Sequence, residues 1–212
     1  MMSSRKKFDF DKLASKESLD KTVNSLKAKG YEVHLAKNGN EALNIIKRQI
    51  PRGASVMNGS SVTLEQIGYK EYLNSGNHGW IDLYAKVNSE NNEAKRSQLR
   101  KQSVLSDYYL GSVHALTEAG DFIVASNTGS QLPHIVYTSA NLVFVVSTKK
   151  IVPDLDSGMK RLETHVFPLE EKHMQKLYNV GSNISKIVIF KKESAFLKRK
   201  IHFILVAENL GF

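Results

Sequence analysis

Two short segments rich in glycine and hydroxyl side chains carry the clearest chemical signal in this sequence. Residues 58–61 read Asn-Gly-Ser-Ser and residues 127–131 read Asn-Thr-Gly-Ser-Gln. Each follows a strand-like apolar segment and opens a helix-like one, where free N–H groups and the helix dipole favour an anion. The predicted ligand-binding residues are Asn58, Gly59, Ser60, Ser61, Thr63, Asn127, Thr128, Gly129, Ser130 and Gln131. We expect them to hold a phosphate or a carboxylate.

The same residue types also have a purely structural interpretation. Ser, Thr, Asn and Gly are the usual residues at the start of a helix, and Glu65 is placed to complete a capping box. Neither segment is a Walker A sequence or a dinucleotide-binding Gly-x-Gly-x-x-Gly motif. Both interpretations remain open, although two such loops in one α/β chain favour a shared ligand site.

Three side chains are candidates for acid–base chemistry. His134 directly follows Pro133 after the second loop, and His114 follows a predicted strand, so either imidazole could move a proton. Glu65 is the carboxylate best placed to face a ligand. For both histidines a structural role is the simpler interpretation. The seven histidines show no His-x-x-x-His pair and the chain has no cysteine, so we predict no metal site and no cofactor.

The elements that would position these residues alternate between helix and strand for most of the chain. Residues 142–146 are continuously apolar, which is typical of a strand buried on both faces of a parallel sheet. We predict an α/β fold with a central, mostly parallel sheet flanked by helices. We expect residues 81–84 to form a strand, and residues 115–117 and 122–125 to form a hairpin around the turn 118–121. Residues 187–190 and 201–207 are predicted to form a C-terminal β-hairpin. Residues 1–14 are predicted to be a tail before a single domain spanning 15–212.

Composition limits the functional class. The 212 residues carry a net charge of +9, which could indicate a nucleic-acid partner. However, basic residues outnumber acidic ones 11 to 6 in residues 1–50 and 6 to 2 in residues 186–212, but only equal them, 13 to 13, in residues 51–185. The segment with both loops is therefore neutral, and nucleic acid is an unlikely partner. No run approaches the ~20 apolar residues of a membrane helix, and we expect a cytoplasmic protein without a membrane partner.

Several blocks, in order, resemble the LUD domain of lactate utilisation proteins of the LutC/YkgG type. They are residues 58–68, 106–121, 127–133 and 150–156, and the resemblance spans about residues 15–212. It implies a fold similar to the group of ribose-phosphate isomerase, glucosamine-6-phosphate deaminase and CoA-transferase (the NagB/RpiA/CoA-transferase-like fold). In those proteins glycine and serine loops hold phosphate or CoA groups.

The resemblance also implies a function. It suggests a subunit or accessory of an L-lactate (organic acid) oxidation system that acts with an iron–sulfur partner and binds a small anionic ligand. Since the chain has no cysteine, a cluster would have to lie on that partner. The alternative is a stand-alone enzyme acting on a sugar phosphate, a nucleotide or a CoA-linked metabolite. Characteristic blocks of ribose-phosphate isomerase are absent, and Glu118 is a poor match for the CoA-transferase glutamate. The oligomeric state is not predicted.

Overall fold

The computed structural model describes residues 9–212, except for the side chain of residue 178. Residues 1–8 of the predicted tail lie outside the described residues. Phe10 is buried in an apolar cluster with Val152 and Leu162, and Asp11 Oδ1 lies 3.0 Å from Lys149 Nζ. The packed part of the chain therefore begins before the predicted domain boundary at residue 15.

Strands and helices alternate through the described chain. The strands are β1 (Glu32–Ala36), β2 (Ser55–Asn58), β3 (Ile81–Asp82), β4 (Tyr108–Gly111), β5 (Ala115–Thr117), β6 (Phe122–Ser126), β7 (Asn141–Ser147), β8 (Ile151–Val152), β9 (Lys186–Phe190) and β10 (Lys200–Val206). The helices are α1 (Lys16–Ala28), α2 (Gly39–Gln49), α3 (Val62–Gln66), α4 (Tyr69–Asn74), α5 (Leu83–Asn88), α6 (Glu93–Gln102), α7 (Leu155–Arg161) and α8 (Phe167–Tyr178). A π-helical turn, Leu162–Val166, joins α7 to α8.

A six-stranded parallel sheet forms the centre of the fold. Its strand order is β1-β10-β7-β4-β2-β3, and every adjacent pair is parallel. The inner strand β7 is buried from Leu142 onwards, as its continuous apolar sequence predicts. The prediction of an α/β fold with a mostly parallel central sheet is confirmed.

Each face of this sheet is covered by a different layer. On one face, Leu43 and Ile46 of α2 share a cluster with Val145 and Ile204. On the other face lie α1 and a second sheet of four strands, in the order β8-β5-β6-β9. Its β5–β6 hairpin, which turns at Gly120 with a φ of +78°, was predicted correctly.

The predicted C-terminal hairpin is wrong. Strand β9 pairs antiparallel with β6 in the second sheet, whereas β10 runs parallel between β1 and β7. The sequence from Ile201 to Val206 is buried on both faces, and this is the pattern of a central strand rather than of a hairpin arm. The predicted strand at residues 81–84 is also shortened, because Asp82 accepts the N–H of Ala85 at 2.9 Å and starts α5.

None of the helices in residues 9–212 combines the length and the apolar character needed to cross a membrane.

Candidate functional site

Residues of both predicted loops line one cavity of about 350 Å³. The first loop follows β2 at the carboxyl edge of the parallel sheet, where ligands bind in open α/β sheets. The second follows β6, which belongs to the four-stranded sheet, so the two loops extend different sheets. The predicted residues that line the cavity are Gly59, Ser60, Ser61, Thr63, His114, Asn127, Thr128, Ser130 and Gln131.

Four predicted residues lie elsewhere. Asn58 and His134 line a smaller neighbouring cavity of about 180 Å³. Gly129 lines neither cavity, and a Cβ atom there would lie 2.9 Å from the side chain of Lys186. Glu65 lines neither cavity and lies 3.8 Å from Lys70, with about half of its side chain exposed. The structure therefore does not bring Glu65 together with the other predicted site residues.

The first loop combines a helix cap with a close packing contact. The Ser61 hydroxyl accepts the N–H of Leu64 at 3.3 Å, so the capping interpretation applies to Ser61. At Gly59, a Cβ atom would lie only 2.7 Å from the hydroxyl oxygen of Tyr109. Only glycine fits there without displacing the tyrosine, which itself lines the cavity.

The second loop is held by its own hydrogen bonds. Thr128 Oγ1 donates to Ser130 Oγ at 3.1 Å, and Asn127 Oδ1 accepts from Ser185 Oγ at 3.1 Å. Gln131 donates to the carbonyl of Ala125 at 3.0 Å, and its Oε1 accepts the Tyr109 hydroxyl at 3.2 Å. Since these polar groups are already engaged, the loop forms a preorganised wall, and the charge of the site comes from elsewhere.

That charge is on Lys150, which sequence reasoning missed. Its side chain is buried at the cavity, and Nζ donates to Thr63 Oγ1 at 3.0 Å and to Ser112 Oγ at 3.1 Å. Burial holds the pKa of this amine well below its usual range, and the nearby charges of Arg161 and Lys149 act in the same direction. No carboxylate of the described chain lies within 4.0 Å of it. The sequence did contain a signal for Lys150, because this residue is the first of block 150–156, one of the blocks that carry the family resemblance.

A second buried cation lies close to Lys150. Arg161 is fully buried, and its Nη1 donates to the backbone carbonyl of His114 at 2.5 Å. Its Nε and Nη2 have no hydrogen-bond partner in the described structure, and burial lowers its pKa to about 10. The nearby carboxylate is Asp11. It is bonded to Lys149 at 3.0 Å, and this contact lowers the pKa of Asp11. The interior beside the cavity thus carries more positive than negative charge.

The segment from the π-helical turn through α8 contributes one carboxyl group and apolar side chains to the cavity. Glu170 of α8 is the one acidic residue among the described lining residues, and burial raises its pKa. Val166, Phe167 and Met174 also line the cavity. The lining is therefore amphipathic, since it combines hydroxyls and an amine with apolar side chains.

The two candidate histidines differ in access. His114 lines the cavity, and its Nδ1 accepts the N–H of Ala125 at 3.1 Å, so the proton of the neutral ring is on Nε2. Burial, with Lys150 and Arg161, lowers its pKa to about 3. A neutral ring in this tautomer offers a ligand a hydrogen-bond donor rather than a base.

His134 has a structural environment instead. It is buried, its Nδ1 lies 3.2 Å from Ser106 Oγ and 3.1 Å from Ser139 Oγ, and its ring stacks on Tyr109 at 4.7 Å. Burial lowers its pKa to about 4. These contacts support the structural interpretation of His134.

Comparisons with known proteins agree with this architecture. A family model described as LUD domain matches residues 19–206. Among solved structures, the chain is similar to the crystal structure of a DUF162 family protein from Deinococcus radiodurans, with a TM-score of 0.57 and 12% sequence identity. That match covers 92% of this chain and 100% of the other, and at this identity the likeness concerns the fold alone. No curated protein matches the sequence.

Proposed function

The chain belongs to the LUD domain family, and on that premise we propose that it binds a small carboxylate or phosphate-bearing ligand in the cavity between its two loops. We propose further that it serves as a subunit or accessory of an L-lactate oxidation system. The observation that carries the binding proposal is Lys150, a buried amine at the cavity whose protein partners are two hydroxyls.

An anion is the ligand that this environment favours. Burial of an amine without a countercharge disfavours its charged form, because that form loses its hydration without an attractive partner. An anionic ligand supplies that partner, so the bound state takes up a proton and gains a charge-assisted hydrogen bond. Thr63 and Ser112 hold the amine in place for this contact.

The dimensions and the lining of the cavity fit a small organic acid. Its volume of about 350 Å³ is at the lower end of the range for small-molecule sites. Ser60 and Ser130 line the cavity with hydroxyls, while Val113 and Met174 offer apolar contact. A hydroxy acid or an oxo acid has both a carboxylate and a short apolar group.

Membership of the family supports the role in lactate oxidation, and the sequence supports a partner subunit that carries the redox group. Electron transfer from an organic acid needs a redox group, and iron–sulfur clusters are held by cysteine thiolates. This chain contains no cysteine, so the proposal places the cluster on the partner subunit.

Calorimetric titration tests the binding proposal. L-lactate, pyruvate, inorganic phosphate and ribose 5-phosphate are titrated into the purified protein at pH 7.5 in two buffers of different ionisation enthalpy. We expect binding of at least one of them with uptake of about one proton, since the ligand restores the charge of Lys150. In Lys150→Met, affinity should fall roughly 100-fold, because a charge-assisted contact is lost.

Lys70→Met is the matched control, since Lys70 is exposed and lies outside the cavity. It should bind like the unmodified protein. Equal affinity in Lys150→Met and Lys70→Met, or the absence of binding for all four ligands, would contradict the proposal.

The role in lactate oxidation requires a separate experiment. The chain is combined with purified iron–sulfur oxidoreductase subunits from the same organism, and L-lactate-dependent reduction of a dye is measured with and without it. We expect activity to depend on the chain and to fall with Lys150→Met. Full activity without the chain would exclude this role while leaving ligand binding intact.

One observation favours the alternative, a stand-alone enzyme. A lysine amine with a lowered pKa is a better nucleophile or base near neutral pH, and Lys150 is such an amine at a cavity. Turnover of a sugar phosphate, a nucleotide or a CoA ester by the isolated chain would favour this function over the accessory role. Loss of that turnover in Lys150→Met would assign the amine to it.

A further inference from the structure

Three metal-ligating side chains meet at the edge of the parallel sheet opposite to the cavity. They are Glu32 and His34 of β1 and His202 of β10, and one ligand atom from each lies within 4.8 Å of the others. Glu32 and His34 are two residues apart, so they share one face of β1. His202 is the register partner of Glu32, and its Nδ1 lies 3.1 Å from Glu32 Oε2.

One imidazole nitrogen of this cluster is buried with no partner in the described structure. The Nε2 of His34 has no hydrogen-bond partner among the described residues. His202 has a relative exposure of only 4%, and the neighbour of its Nδ1 is Glu32 Oε2. Buried polar atoms are nearly always hydrogen-bonded, so an open nitrogen beside an imidazole–carboxylate pair indicates a ligand that accepts its lone pair.

We propose that Glu32, His34 and His202 form a binding site for a divalent transition-metal ion, with Zn²⁺ as the best-fitting candidate. Two imidazoles and one carboxylate are a common protein donor set for zinc, with the fourth position left to water. Ligand atoms around a tetrahedral zinc ion are separated by about 3.4 Å, given bonds of about 2.1 Å. The three ligand atoms lie within 4.8 Å of one another, and Glu32 is exposed, so its side chain has room to adjust.

Metal binding would connect two neighbouring strands of the parallel sheet. Strand β1 is an edge strand whose one neighbour in the sheet is β10. A metal ion that bridges Glu32 and His34 to His202 crosslinks these strands. Binding to the folded state alone raises the apparent stability by mass action. The site is separate from the loop cavity, because none of its three residues lines it.

Zinc titration of the untagged protein, treated beforehand with EDTA, tests the proposal. Calorimetry should show one Zn²⁺ bound per chain, and thermal unfolding should shift to higher temperature with Zn²⁺ but not with Mg²⁺, which prefers all-oxygen sites. Glu32→Gln and His34→Gln, both at sites that are not fully buried, should each weaken zinc binding at least tenfold. They should also remove most of the thermal shift.

His173→Gln is the matched control, since it removes a histidine remote in sequence from the cluster. It should bind zinc like the unmodified protein. Zinc binding that is absent, or that is unchanged in both Glu32→Gln and His34→Gln, would overturn the assignment. His202→Gln is informative only if circular dichroism shows that it folds, so the two less buried variants decide the outcome.

Discussion

Two buried arginines show opposite ways of placing a cation inside this protein. Arg199, just before β10, donates to the carbonyls of Ser139 (2.9 Å), His134 (2.8 Å) and Ile135 (2.9 Å) and lies 3.0 Å from Glu193. Arg161, beside the cavity, donates to one carbonyl and leaves two nitrogens without a partner. The first charge is fully compensated by the chain, and the second is not.

This difference distinguishes a charge with a structural role from a charge with a functional role. Burial alone does not distinguish them, because the side chains of both arginines are almost inaccessible. A compensated cation joins elements, as Arg199 joins the start of β10 to the turn 134–139. An uncompensated group costs stability and is tolerated where a ligand completes it. By this criterion the region of Arg161 and Lys150 is the candidate site, and the contacts of Arg199 with Glu193 and the segment 134–139 are part of the scaffold.

The largest loss of stability should follow from removing Arg199, the compensated cation. Arg199→Met leaves Glu193 buried without its partner and three carbonyls without a donor, so the free energy of unfolding should fall by about 3–5 kcal/mol. Urea denaturation measures this value. Lys192→Met, at an exposed position nearby in the chain, should change stability by less than about 0.5 kcal/mol. A similarly small loss of stability in Arg199→Met would mean that the contacts of Arg199 do not stabilise the fold.

A smaller effect is expected where the first loop meets the cavity wall. Gly59→Ala places a methyl group 2.7 Å from the Tyr109 hydroxyl, and overpacking of this kind costs about 1–3 kcal/mol. Gly181→Ala is the matched control, because nothing lies within 4 Å of its Cβ position. Equal denaturation midpoints for the two variants would show that the loop yields without strain.

The smallest effect on stability is expected at Lys150, in contrast to Arg199. Lys150→Met loses two hydrogen bonds to hydroxyls but no longer buries an amine, so stability at pH 7 should stay within about 1 kcal/mol of the unmodified protein or exceed it. Since burial lowers the pKa of Lys150 in the folded protein, this group holds more of its proton in the unfolded chain than in the folded chain. The unmodified protein should therefore gain stability relative to Lys150→Met as the pH rises toward about 10.

Chemical denaturation of both proteins at pH 7 and near pH 9.5 measures this difference. A loss of several kcal/mol in Lys150→Met at pH 7 would place Lys150 in the same class as Arg199. The distinction between site and scaffold would then fail.

The fold was predictable where the local pattern determines the element. The continuous apolar sequence of β7 and the turn at Gly120 are local signals, and both predictions were confirmed. The pairing of β9 and β10 is not local. Two adjacent apolar segments suggest a hairpin, but the full burial of β10 on both faces depends on strands more than fifty residues away.

The candidate site was predictable in position but not in charge. Glycine and hydroxyl residues marked both loops, and the structure brings those loops to one cavity. Lys150 was missed because a lysine is exposed by default, and its burial arises from β4, α3 and the turn after β7 coming together. The cluster of Glu32, His34 and His202 was missed because its spacing lies across strands rather than along a helix.

The central position of β10 also determines when the protein can acquire its native structure during translation. Residues 200–206 fill the gap between β1 and β7, and the ribosome adds them after all of their partners. Until then both neighbours expose unpaired strand edges and apolar faces, which favour association with other chains. The nascent chain therefore cannot complete the sheet until this strand is synthesised. A stall before residue 200 would release a polypeptide that depends on chaperones to stay soluble.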